Sequence, residues 1–156
     1  MTVVTVNGCF DVLHVGHIKL LKRAKSFGDY LIVLINSDAS VKRLKGADRP
    51  INTAQDRAEI LRALACVNEV VIFNEDTPLN ALNAIQPDIH VKGGSYIKEK
   101  VEEEKKLVES WGGKILFTKL AEGYSSTNVI NKAALKKKQD DENMEKALNG
   151  YLLQRV

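Results

Sequence analysis

The chain has 156 residues, 44% of them hydrophobic and 28% charged, with a formal net charge of +3, the makeup of one globular domain around one buried core. No apolar run nears the roughly 20 residues of a membrane span, and no basic leader with an apolar core precedes the first strand-like stretch, so neither a membrane partner nor a secretion signal is expected. The small positive charge suits an anionic ligand; nucleic acid is not expected, because no basic stripe interleaved with aromatics is present.

Val3 to Asn7 is a β-branched run that predicts a buried strand, and Gly8 follows it. Ile18, Leu20, Leu21 and Ala24 recur at helical spacing, with Gly28 as the stop. Tyr30 to Asn36 is apolar without alternation, the mark of a strand covered on both faces. Val41 to Leu44 predicts a short helix, and Lys45 to Asn52, with Gly46 and Pro50, a flexible loop. Thr53 with Asp56 opens a helix whose apolar face continues through Ile60, Leu61 and Leu64. Glu69 to Phe73 is a third strand. Thr77-Pro78 predicts a cap with proline at the first helical position and a helix to about Ile85. Asp88 to Lys92 is a fourth strand, closed by Gly93-Gly94, and His90 within it is expected to be structural. Glu99 to Ser110 is a charged surface helix, Lys114 to Lys119 a fifth strand, and Ser125 to Lys136 a last helix.

Strand and helix alternate, with five strands. The pattern predicts an α/β, Rossmann-like single domain: a five-stranded parallel sheet with helices on both faces, spanning residues 1–136. The tail 137–156 is helical or flexible. Met144, Ala147, Leu148, Tyr151 and Leu152 recur at helical spacing and would pack on the domain or on a partner subunit, but the charged runs around them suit a solvated end equally. In an open parallel sheet, ligands bind beyond the carboxyl ends of the strands, where strand order reverses. If strands one and four are neighbours, residues 8–17, 92–96 and 122–127 meet at one crevice.

The stretch Gly8-Cys9-Phe10-Asp11-Val12-Leu13-His14-Val15-Gly16-His17 leaves a buried strand and enters a helix. A helix N-terminus offers unpaired N–H groups and a partial positive charge, a natural phosphate site. Gly16 lets the backbone approach a ligand. His14 and His17, three residues apart, can face one side of the turn and donate to phosphate oxygens. Two ordinary surface histidines would look the same. A metal site from Cys9, His14 and His17 lacks a fourth ligand and is not expected. Cys9 and Cys66 make no disulfide framework, which points to the cytoplasm.

His14-x-Gly16-His17 after Gly8-x-Phe10-Asp11 resembles the first signature of the cytidylyltransferase-like nucleotidyltransferases, and Glu122-Gly123-Tyr124-Ser125-Ser126-Thr127 resembles their second. Asn36-Ser37-Asp38, Lys42 to Gly46, Arg49 to Asn52, Glu75 to Pro78, Pro87-Asp88 and Val91 to Gly94 resemble one branch in particular, the D-glycero-β-D-manno-heptose 1-phosphate adenylyltransferases. The likeness covers about Val3 to Lys136, so a fused kinase domain is not expected.

The resemblance implies transfer of AMP from ATP to D-glycero-β-D-manno-heptose 1-phosphate, with loss of pyrophosphate. Its alternatives are a CTP-dependent enzyme of the glycerol-3-phosphate cytidylyltransferase type and a non-catalytic nucleotide-binding module. By the family pattern, His14, His17 and Lys45 are catalytic. Cys9, Phe10, Gly16, Lys42, Arg57, Gly93, Glu122, Gly123, Tyr124, Ser125, Ser126 and Thr127 hold nucleotide, and Asp11 and Lys92 hold the acceptor. Lys42 and Lys45 would reach the phosphates from the flexible loop. Mg2+ would arrive with the triphosphate, with no dedicated metal ligands on the chain, and a homodimer is implied. Two positions depart from pattern. Ser95 stands where the heptose branch has an acidic residue, which bears on substrate and nucleotide choice. Leu120 stands where the cytidylyl branch has arginine, which favours adenylyl transfer.

Overall fold

The computed structural model describes residues 1–94, 98–119 and 125–154. Strands β1 (Val3–Gly8), β2 (Tyr30–Asn36), β3 (Glu69–Phe73), β4 (Ile89–Gly93) and β5 (Lys114–Thr118) form one sheet in the order β3-β2-β1-β4-β5. Every neighbouring pair is parallel, with Val6 opposite Val33 on one side and Val91 on the other. Strand order therefore reverses between β1 and β4, and the crevice expected from the sequence opens there.

The helices are α1 (Val15–Lys25), α2 (Asp38–Lys45), α3 (Ala54–Arg62), α4 (Leu79–Ile85), α5 (Lys98–Ser110) and α6 (Ser126–Leu153). β2 shows why the sheet needs cover on both faces. Leu31, Val33 and Ile35 pack with Leu21 and Ala24 of α1 and Ala58 and Leu61 of α3. The alternate residues Ile32 and Leu34 pack with Leu82 of α4 and Val108 of α5. Successive strand side chains point to opposite faces, so a strand between two helical layers must be apolar throughout. Truncating a fully buried leucine such as Leu21 to alanine would cost about 2–5 kcal/mol.

Local chemistry sets the helix starts. Ser37 Oγ accepts from the Ser40 N–H at 3.2 Å, and Thr53 Oγ1 from the Asp56 N–H at 3.2 Å. The Ser37 cap starts α2 at Asp38, three residues before the helix predicted from apolar spacing, and carries it to Lys45. Lys42 and Lys45 thus stand in a helical last turn rather than on a flexible loop. Thr77 does not cap α4. Pro78 occupies the cap position, and its carbonyl accepts the first helical bond from the Leu82 N–H at 2.9 Å. The helix predicted as a charged surface element buries Glu104 between Val101 and Val108. The last helix does not stop at Lys136. α6 continues for 28 residues to Leu153, and none of them is buried. No helix among the described residues is long and apolar enough to cross a membrane.

Candidate active site

β1 delivers Cys9 and Phe10 to the crevice. Phe10 adopts a left-handed backbone (φ 47°), which turns the chain toward α1. Its ring lies 4.9 Å from that of His17. A Cβ at Gly8 would lie 3.0 Å from the edge of the Phe10 ring, so any larger residue there would push the ring aside. His14 is the cap residue of α1 and His17 the third residue of its first turn. Their rings stack at 3.8 Å, and the His14 backbone N–H donates to His17 Nδ1 at 3.3 Å. Burial, reinforced by the adjacent His14, lowers the pKa of His17 to about 4, and desolvation lowers that of His14 as well. Both imidazoles are therefore neutral at pH 7.

A cavity of about 190 Å³ is lined by Cys9, Phe10, His14, His17, Lys45, Arg49, Ser125, Ser126 and Thr127. It joins the N-termini of α1 and α6, two partial positive charges facing one space. Ser125 Oγ caps α6 by accepting from the Asn128 N–H at 3.0 Å. Ser126 Oγ accepts from the Val12 N–H at 3.2 Å and donates to the Val12 carbonyl at 2.8 Å, tying the two helix starts together. Arg49 Nη1 donates to Thr127 Oγ1 at 3.2 Å. Of the expected cations, Lys45 lines this cavity. Lys42 is exposed on the same helix and lines none of the cavities described here.

Two expected ligand-binding residues are engaged within the chain instead. Asp11, predicted to hold the acceptor, is 1% exposed. Its carboxylate accepts from Arg49 Nε at 2.7 Å and from the Ile51 and Asn52 N–H groups at 2.9 Å each. Burial alone would raise its pKa, but these donors hold it below the ordinary value. Asp11 thereby fastens the 49–52 loop over the end of β1. Arg57, predicted to touch nucleotide, is equally buried. Its guanidinium donates to the carbonyls of Cys9 (2.7 Å), Asn36 (2.8 Å) and Asn52 (3.0 Å) and pairs with Asp38 at 2.9 Å. It fixes the ends of β1 and β2 without facing the cavity. The Cys9 thiol is half-buried, and burial raises its pKa against the pull of Lys45, Arg57 and Arg49, so it is a thiol and not a thiolate.

Cys9 and Lys45 also line a second cavity of about 510 Å³ that extends over β4 and reaches Asn36, Thr77, Lys92, Lys100 and Glu104. Lys92 Nζ donates to Asn7 Oδ1 at 2.8 Å and pairs with Glu104 at 2.9 Å. Behind this pair stands His90, fully buried, with Nε2 3.4 Å from Glu104 and Nδ1 2.8 Å from Thr5 Oγ1. Burial keeps His90 neutral. Glu104 stays ionised: burial opposes this, but the contacts with His90 and Lys92 lower its pKa. The result is a lysine ammonium held at the mouth of the second cavity by a buried chain of polar groups. Gly93 lies against α1, where a Cβ would come within 2.6 Å of Leu20, and it lines the second cavity rather than the first. Gly16 is buried in α1 and lines a groove of about 460 Å³ on the side of that helix facing Phe117 and Thr118.

Arg49 and Glu104 were not among the residues singled out from the sequence. Arg49 meets Asp11 across 38 residues, and no sequence signal points to that pairing. Glu104 shows itself by falling three residues after Val101 and four before Val108, on the apolar stripe of α5. Glu122, Gly123 and Tyr124, with the departures Ser95 and Leu120, lie outside the described residues.

The cytidylyltransferase-like family model matches residues 5–132. The bifunctional protein HldE of Syntrophotalea carbinolica is 53% identical over 131 residues, 84% of this chain and 26% of that protein. The protein of the same name from Geotalea uraniireducens is 54% identical over 129 residues, 83% of this chain and 26% of that protein. The chain thus spans about a quarter of the length of these curated relatives. Among solved structures, the lipopolysaccharide core biosynthesis protein of Thermoplasma volcanium GSS1 superposes with a TM-score of 0.66 at 25% identity, covering 80% of this chain and 99% of that one.

Proposed function

This chain belongs to the cytidylyltransferase-like family of nucleotidyltransferases, and on that footing we propose that it transfers AMP from ATP to D-glycero-β-D-manno-heptose 1-phosphate in the cytoplasm and releases pyrophosphate. The observation that carries this reading is the meeting of His14, His17, Lys45 and two helix N-termini at one cavity, which shares Cys9 and Lys45 with a second cavity bearing Lys92. The sequence blocks shared with the heptose branch supply the choice of acceptor.

In this reading the triphosphate lies across the 190 Å³ cavity. The start of α1 and the Ser125–Thr127 start of α6 offer N–H and hydroxyl donors to its β- and γ-phosphates. The acceptor phosphate enters the second cavity and is held by Lys92 and Lys45. Its oxygen attacks the α-phosphorus in line. An O–P bond forms as the bond from the α-phosphorus to the bridging oxygen breaks, and pyrophosphate carries the electron pair away. No covalent intermediate on the protein is needed, so catalysis reduces to positioning and charge neutralisation. His14 and His17 start neutral and donate hydrogen bonds to the equatorial oxygens, gaining strength as charge builds there. Lys45, on the rim shared by both cavities, can follow charge from the attacking to the leaving side.

Magnesium would arrive bound to the triphosphate. Asp11, the carboxylate nearest the cavity's β1 end, already accepts from three donors within the chain. When bound, the ion neutralises phosphate oxygens.

The test is pyrophosphate release, with each nucleoside triphosphate crossed against a panel of sugar and polyol phosphates. ATP with the heptose 1-phosphate is expected to turn over fastest. Brisk turnover with CTP and glycerol 3-phosphate and none with ATP would replace this reading, and tight ATP binding with no turnover on any acceptor would favour a binding module.

A further inference from the structure

We propose that Arg49 is a nucleotide-binding residue whose guanidinium holds the pyrophosphate end of the triphosphate. The inference rests on the place given to the triphosphate above and not on the choice of acceptor. Arg49 lines the 190 Å³ cavity with His14, His17 and the start of α6. Its side chain is 13% exposed and is fixed at two points. Nε donates to Asp11, just beyond β1, at 2.7 Å, and Nη1 donates to Thr127 Oγ1 at 3.2 Å. The charged group thus reaches the cavity wall already ordered, with little side-chain freedom left to lose on binding.

A second arginine shows what a wholly structural role looks like in this molecule. Arg57 spends each of its side-chain nitrogens on the protein: Nε on the Asn52 carbonyl, Nη1 on the carbonyls of Cys9 and Asn36, and Nη2 on Asp38. Arg49 is only half spent. A guanidinium carries five N–H groups in one plane. Asp11 takes one and Thr127 another, and among the described residues Nη2 has no acceptor. The N–H groups that remain lie on Nη1 and Nη2, the fork that suits two oxygens of one phosphate.

Charge points the same way. Burial keeps His14 and His17 neutral, and the helix starts bring only partial charges. Lys45 lines the same cavity but is exposed in the last turn of α2, where solvent screens it. Arg49 adds a permanent cation that is mostly withdrawn from water. Asp11 offsets part of its charge, but that carboxylate is also shared with the Ile51 and Asn52 N–H groups. Thr127 belongs to the first turn of α6, the helix start that faces the β- and γ-phosphates in the proposed pose, so Arg49 serves the part of the nucleotide that leaves.

The test measures binding to the full chain without acceptor. ATP and pyrophosphate are followed by titration calorimetry, and AMP by amide NMR shifts. R49Q is expected to weaken ATP and pyrophosphate at least about tenfold and to leave AMP unchanged. R49K keeps the charge but not the fork and should recover only part of the loss. R49Q also leaves a buried carboxylate without its cation, so the double exchange D11N/R49Q is measured beside it, with circular dichroism to check folding. D11N alone, which keeps the arginine, should bind ATP at least about tenfold more tightly than the double exchange. The proposal is overturned if a folded Arg49 variant binds ATP and pyrophosphate as the unaltered chain does. It is overturned equally if AMP weakens in step with ATP, if D11N binds ATP no better than the double exchange, or if the unaltered chain fails to bind pyrophosphate at millimolar concentration. Turnover does not enter the readout, so a wrong acceptor in the proposed reaction leaves this result standing.

Discussion

The two halves of the crevice offer an anion opposite kinds of partner. On the α1 side, the His14 and His17 rings are neutral and stacked, next to backbone donors at two helix starts. On the β4 side, the Lys92 ammonium is held by the buried series Asn7, Glu104, His90 and Thr5. Neutral donors grip a transition state, whose charge is greater, more than a ground state. A fixed cation grips any phosphate, reacting or not. On the proposed reaction, rate would rest on the first half and acceptor affinity on the second.

The sharpest way to break that division is at the imidazoles. His14→Ala and His17→Ala should each lower kcat about 10²–10⁴-fold while leaving ATP affinity, measured by calorimetry, within a few-fold. A comparable loss of both would merge the two halves. Arg57→Ala should act on neither half selectively. It removes a buried guanidinium that ties the ends of β1 and β2, and an unfolding titration should show about 3–5 kcal/mol less stability. Lys92→Met should raise the acceptor KM about tenfold or more and leave the ATP KM unchanged. An equal rise in both would show that the lysine serves the nucleotide.

The smallest effects are in pH. In the unfolded chain the His17 imidazole takes up a proton below pH 6.5, whereas in the folded chain it stays neutral to about pH 4. The unfolded state binds more protons in that window. Stability should therefore fall as pH drops from 6.5 toward 4 and be flat above it, and His17→Gln should reduce the slope. With the rings neutral beside the triphosphate, ATP binding should take up almost no protons at pH 7, so its enthalpy by titration calorimetry should not depend on the buffer's ionisation heat; clear proton uptake would show that the rings are charged with nucleotide bound.

Most of this architecture was legible because period and punctuation agree. β2 announces two covered faces by lacking polar alternation, and the strand-to-helix junctions at Gly8 and Ser125 carry their own caps and glycines. Two charged residues sit deeper than their charge suggests, for one cause. Arg57 and Glu104 are charged, and a charged residue on a helix reads as solvated. Yet each lies on its helix's inward stripe, Arg57 three residues after Ala54 and four before Leu61, and Glu104 between Val101 and Val108. Position on the helix was the better guide than charge. Asp11 misled differently. It belongs to a motif associated with ligands, but the partners that engage it come from a loop about 40 residues away, and no local pattern reports such a meeting.

Phe10 joins two demands that only an aromatic residue meets together. Its backbone sits where glycine rests at ease and a bulky residue does not, at a cost on the order of 1–2 kcal/mol. Its ring is the wall against which His17 leans. A glycine in its place would relax the bend and remove the wall, and a large aliphatic would keep neither comfort nor flat surface. The position is accordingly intolerant in both directions, and a library randomised at this codon and selected for transfer should return phenylalanine or a near aromatic equivalent.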